Sequence, residues 1–219
     1  MLCRIGGTIG ENLKVAPDTY IGYDLMKKTL LSLVVLLAIA FTVNAQEKNV
    51  TELKSEREQL AVELQSEAVV KRQDDFQKLA AKAEKVEQTN LGSIDGLAET
   101  STSLLATITS ANELLKNYRT EIIDNGNGEV EIAKYAANLN DYIELGQNLA
   151  VAATLAADGA QQLKTAKDDV KKLNPLKAKA ALNSVNFSTD AINLSVDEIA
   201  LQTRIVTNLI QSIKASKNL

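Results

Sequence analysis

From residue 47 onward, apolar positions recur at alternating spacings of three and four. Toward the C-terminus Val185, Thr189, Ile192, Val196, Ile199, Thr203, Val206, Ile210 and Ile213 keep this rhythm without a break. Ile94, Leu97, Ser101, Leu104, Ile108, Ala111, Leu115, Tyr118 and Ile122 repeat it, as do Ile132, Ala136, Leu139, Ile143, Gly146, Ala150, Ala153, Ala157 and Ala160. Such stripes are the a/d seams of helices that pack with a shallow left-handed crossing. The first stretch is weaker. Leu53, Leu60 and Leu64 begin a seam that Lys71-Arg72-Gln73-Asp74-Asp75 interrupts, and it resumes with a shift of phase at Phe76, Leu79, Ala83 and Val86.

Turn residues separate the stretches. Asn90-Leu91-Gly92-Ser93 reads as a stop followed by a Ser cap, and Asn125-Gly126-Asn127-Gly128 is the strongest turn signal in the chain. Leu173-Asn174-Pro175 offers an Asn cap with Pro at the first helical position. The pattern therefore predicts helices over about 47–89, 93–124, 129–173 and 175–217. Short connections place successive helices antiparallel. The expected fold is all-α: an elongated antiparallel up-down-up-down four-helix bundle over residues 46–219, with coiled-coil-like packing.

Ahead of residue 46 the pattern changes. Met26-Lys27-Lys28 is a short basic start, Thr29 to Val43 is an unbroken apolar run, and Val43-Asn44-Ala45 places small residues before a cleavage point. Residues 26–45 read as a secretory signal peptide cleaved after Ala45. The apolar run is about fifteen residues, short of the roughly twenty that a spanning helix needs. Residues 1–25 have neither helical nor strand periodicity and precede a leader that has its own Met, so they read as an over-extended start outside the mature protein. The expected destination is the periplasm or the extracellular space of a bacterium. The one Cys, Cys3, lies in this doubtful start, which leaves the mature chain without disulfide or thiol chemistry.

Composition narrows the function. Among 219 residues there is no His and no Trp, and aromatic residues make up 4%. Without His the commonest metal ligand and general base are missing, and so few aromatics argue against a β-sandwich or barrel core. The formal charge is −4, and four of the 24 basic but only three of the 28 acidic residues precede Gln46, so the mature chain is more acidic still. An acidic surface disfavours nucleic acid as a partner. No glycine-rich phosphate loop, metal-binding helix motif or paired nucleophile and base is present. The expectation is a protein without catalysis, cofactor or bound metal, a monomer or small homo-oligomer.

Three stretches invite a functional reading. Leu149 to Ala157 is the longest apolar run after the leader, yet about nine residues cannot span a bilayer, so it predicts close helix packing. Asn183, Asn186, Asp190, Asn193 and Asp197 form a polar stripe that predicts a solvated face. Tyr118, Tyr135 and Tyr142 come to one flank if the chain doubles back at Asn125-Gly128. They form the candidate binding patch for a protein or glycan partner, set against the plainer role of boundary tyrosines with buried ring and wet hydroxyl. The expected function is structural or partner-binding, with membrane contact through the signal peptide alone. The alternative is a membrane-active helical bundle, either a pore-forming toxin component or a lipid carrier.

Overall fold

The computed structural model describes residues 48–83 and 86–217, with Leu176 described by its backbone alone. The proposed leader, its cleavage point, Cys3 and residues 1–25 lie outside the described residues. Within them the chain is all-helical: α1 (Val50–Leu64), α2 (Glu67–Ala83), α3 (Gly92–Asn125), a 3₁₀ helix (Ile132–Asn138), α4 (Leu139–Val170) and α5 (Pro175–Lys217). With 43 residues, α5 is about 65 Å long. The helices α3, α4 and α5 pack on one another, and α1 and α2 lie against α3 and α5.

The helix ends follow their local chemistry. Asn49 caps α1 reciprocally: its side chain accepts from Glu52 N–H and the Glu52 carboxylate accepts from Asn49 N–H, both at 2.9 Å. Asn174 accepts from Lys177 N–H at 3.0 Å just before Pro175, the expected cap of α5. Gly126 closes α3 in the left-handed region (φ 58°), its N–H reaching Ile122 O. At the other end of α3 the expected Ser cap is not used. Ser93 Oγ donates to Asp169 Oδ2 at 2.8 Å, tying the start of α3 to the end of α4. Asp95 Oδ1 instead accepts from both Thr89 N–H and Thr89 Oγ at 2.8 Å.

Two segments differ from the sequence expectation. The single first helix is two, broken at Gln65-Ser66 ahead of the charged stretch that marks the seam's interruption. From Leu64 to the next buried position, Val69, is a step of five, which an unbroken helix would carry off the buried face. The break restores the phase: Ser66 Oγ donates to Glu63 O at 2.7 Å and accepts from Val69 N–H at 3.3 Å, ending one helix and starting the next. The third expected helix starts as 3₁₀ over residues 132–138, whose threefold repeat lines up Ile132, Tyr135 and Asn138.

The interior falls into two apolar clusters along the helices. One holds Leu97, Leu104 and Ile108 of α3 with Ala156 and Leu163 of α4 and Ile192 and Ile199 of α5. The other holds Leu115, Tyr118 and Ile122 with Leu145 and Leu149, Ile205, Leu209 and Ile213, closed by Leu60 and Leu64 of α1. Small residues draw α4 onto α5: a methyl added at Gly159 would sit 2.9 Å from Ile192 Cδ1. The apolar run from Leu149 is spent in this contact, with Leu149, Ala152, Ala153 and Ala156 all buried. Among the described residues, no helix is long and apolar enough to cross a membrane.

Candidate partner-binding groove and buried polar layers

The backbone reversal between α3 and α4 brings the three tyrosines together. The Tyr118 and Tyr135 rings meet edge to face, centroids 5.2 Å apart at 79°. All three rings are buried, at 1% exposure for Tyr118, 7% for Tyr135 and 5% for Tyr142. Tyr118 is an interior residue whose hydroxyl donates to Asn208 Oδ1 at 2.8 Å. Tyr135 and Tyr142 instead line an open groove of about 700 Å³ between the end of α3 and the start of α4.

The groove walls are largely polar, and their charged groups are mostly acidic. Among the described residues, Glu113, Glu121, Asp124 and Asp141 line it with Lys134 as the one cation, Asn117 and Asn138 add carboxamides, and Leu114 stands half exposed at the edge. Glu121 is the anchor. Its carboxylate accepts from Tyr135 Oη at 2.7 Å and from Glu131 N–H at 2.8 Å. Burial pushes its pKa up, but those two donors and nearby Lys134 outweigh this and hold it below the usual range. The Tyr135 hydroxyl moves up in turn, first through burial and then through donation to that carboxylate. Glu121 stays charged and Tyr135 stays protonated, so the groove floor is a fixed donor–acceptor pair.

A second polar feature was hidden in the pattern. Ser184, Ser188, Ala191, Ser195, Glu198, Gln202, Ile205, Leu209 and Ser212 repeat the three-and-four spacing one residue ahead of the apolar seam of α5, and all are buried. Between the two apolar clusters lies Glu198, 1% exposed. It accepts from Arg72 Nε at 3.2 Å and Gln202 Nε2 at 2.9 Å, with Arg119 Nη1 at 3.9 Å. Asn112 Oδ1 accepts from both Arg119 and Gln202. Burial lowers the Arg119 pKa, Glu198 opposes the shift and Arg72 adds to it.

The other layer is a clasp at the far end. Arg57, 5% exposed, donates from Nε to Gly128 O at 2.6 Å and from Nη1 to Ser212 Oγ at 2.7 Å. Asn208 Nδ2 donates to Leu53 O at 3.0 Å. Thus α1 is fixed to both α5 and the reversal loop. The expected solvated stripe Asn183, Asn186, Asp190, Asn193 and Asp197 is exposed along its length. Among the described residues, no group of three or more acidic residues is placed to hold a metal ion.

Comparison of the chain with protein-family models, with curated proteins and with solved structures found no match.

Proposed function

We propose that the protein is an exported bacterial helical bundle that docks a partner protein and performs no catalysis. The observation that carries this is the groove between α3 and α4. It is open, its floor is fixed by the Glu121–Tyr135 pair, and its acidic walls are answered by a single lysine. By contrast, the most deeply buried charged groups, Arg57 and Glu198, are engaged inside the bundle. With the tyrosine rings buried, little aromatic face is left for stacking on a sugar, so a basic protein segment is favoured over a glycan. The inward packing of the run from Leu149 favours docking over membrane insertion.

The architecture we read is the up-down-up-down bundle, with α1 and α2 together as the first leg. Paired residues support it. From Arg57 to Arg72 the α5 partner moves back from Ser212 to Glu198, whereas from Asn112 to Tyr118 it moves forward from Gln202 to Asn208. Export rests on the basic, apolar and small-residue sequence of residues 26–45.

A lysine-rich amphipathic peptide, titrated calorimetrically into the chain as its host produces it, tests the groove. Reversing Glu113 and Asp141, both exposed, to Lys weakens binding by about tenfold, as expected when two surface charge pairs turn repulsive. Reversing Asp190 and Asp197 on the exposed face of α5 leaves it unchanged. Equal loss from both pairs would reduce the interaction to general surface charge and overturn the docking site.

A further inference from the structure

The reversal loop carries two Asn-Gly pairs, and the structure treats them differently. In such a pair the glycine amide nitrogen can attack the preceding side-chain carboxamide, because glycine offers no side chain to block it. The attack needs a free amide nitrogen and a carbonyl carbon within its reach. At Asn125-Gly126 the nitrogen is already committed: Asn125 ends α3, and Gly126 N–H donates to Ile122 O at 3.2 Å. The Asp95-Gly96 and Asp158-Gly159 pairs lie within helices, where backbone geometry keeps side chain and nitrogen apart.

At Asn127-Gly128 the arrangement is the opposite. Gly128 N–H makes no hydrogen bond among the described residues. The exposed Asn127 side chain turns toward the backbone that follows it, its Oδ1 accepting from Glu129 N–H at 3.1 Å. That oxygen is where negative charge builds up when the carboxamide is attacked, so the Glu129 amide sits as an oxyanion donor. We propose that Asn127 is a self-modification site. Gly128 is itself buried; its nitrogen loses its proton to hydroxide and bonds to Asn127 Cγ, the Cγ–Nδ2 bond breaks, and ammonia leaves with a proton. Water then opens the resulting succinimide at either carbonyl, giving aspartate or isoaspartate. The reaction needs nothing but water.

The product reaches the fold through Gly128. Its carbonyl is the acceptor for buried Arg57, and its α-carbon lies so close to α1 that an added methyl would stand 2.5 Å from Lys54 O. Isoaspartate inserts an extra carbon into the backbone immediately before this contact, so it shifts the carbonyl off Arg57 and releases α1. Tryptic mapping of the intact folded chain, aged at mildly alkaline pH, follows the reaction, with isoaspartate detected by enzymatic methylation. Modification at Asn127 runs at least about tenfold faster than at Asn125, the effect of one well-placed donor beside an exposed side chain. The urea-unfolded chain, where both residues simply precede Gly, shows no such preference. Asn127→Ser, whose hydroxyl can take the same Glu129 N–H, abolishes the modification and keeps α1 protected from hydrogen exchange, whereas aged wild type loses that protection. Equal rates at the two residues, faster reaction at Asn125, or no reaction at either would overturn the site. Full protection of α1 in the isoaspartate form would overturn the release.

Discussion

Glu198→Ala is the sharpest probe of the interior. The substitution removes the only carboxylate paired with Arg72 and Arg119 among the described residues, and the two arginine side chains are 16% and 12% exposed. It also removes an acceptor of Gln202. Breaking a buried pair from one side costs about 3–5 kcal/mol, because the remaining charge is stranded out of water. Here the lower end applies, since both arginines retain some solvent and Arg119 keeps its bond to Asn112, giving about 3 kcal/mol. For a chain of this size that is a fall of roughly 6–12 °C in Tm. The combined variant Arg72→Met, Glu198→Leu, Arg119→Met fills the same space without charge and recovers most of the loss. Thermal and urea unfolding of the three proteins, followed by circular dichroism, decides the matter. A loss under about 1 kcal/mol for Glu198→Ala would mean that the layer is solvated and does not hold the two clusters in register.

Other perturbations follow from single contacts. Gly128→Ala forces a residue with a side chain to φ 71° against Lys54 O and costs about 3 kcal/mol by urea unfolding. The buried Ser188 and Ser195 hydroxyls find no partner among the described residues, so Ser→Ala at either position stabilises by about 1 kcal/mol in the same assay. Asp95→Asn destabilises by about 1 kcal/mol at neutral pH, through the weakened bonds from Thr89. Burial opposes ionisation of Asp95, but the hydrogen bonds from Thr89, Leu91 and Asn90 together keep its pKa below the ordinary 3.8. The carboxylate therefore contributes fully above the unfolded value and loses its contribution as pH falls through the lower folded value. Stability curves of wild type and Asp95→Asn measured against pH converge in that acid window.

Apolar spacing located α3 and α5 closely, because large residues there mark one stripe. Every expected seam position of α3, from Ile94 to Ile122, is buried. In α4 the abundance of Ala made two overlapping stripes read alike. The buried face takes Gly146, Ala153 and Ala160 from the expected seam together with the flanking stripe Leu149, Ala156 and Leu163 and with Tyr142 and Leu145, while Ile143, Ala150 and Ala157 of the expected seam are half-buried. The broader Leu side chains decide which face turns inward. The break at Ser66 was written in the five-residue step from Leu64 to Val69, a subtler mark than the charged stretch beyond it. The polar layers were obscured because Glu198, Gln202 and Ser212 look like surface residues singly. Only their shared spacing shows that α5 is surrounded on most sides. For the groove, the turn at Asn125-Gly128 was enough to bring Tyr118 and Tyr135 together. The partners of Glu121 depend on the 3₁₀ geometry of residues 132–138, which the sequence read as ordinary helix.

Docking of a basic segment between α3 and α4 is tested most directly by an amide hydrogen-exchange footprint of the intact chain, with and without the lysine-rich peptide at low salt. The account predicts added protection over 113–125 and 134–142, fading as salt rises past the Debye screening range, with the exposed face of α5 unchanged. Protection centred on Asp190 and Asp197, or spread evenly over the acidic surface, would contradict it.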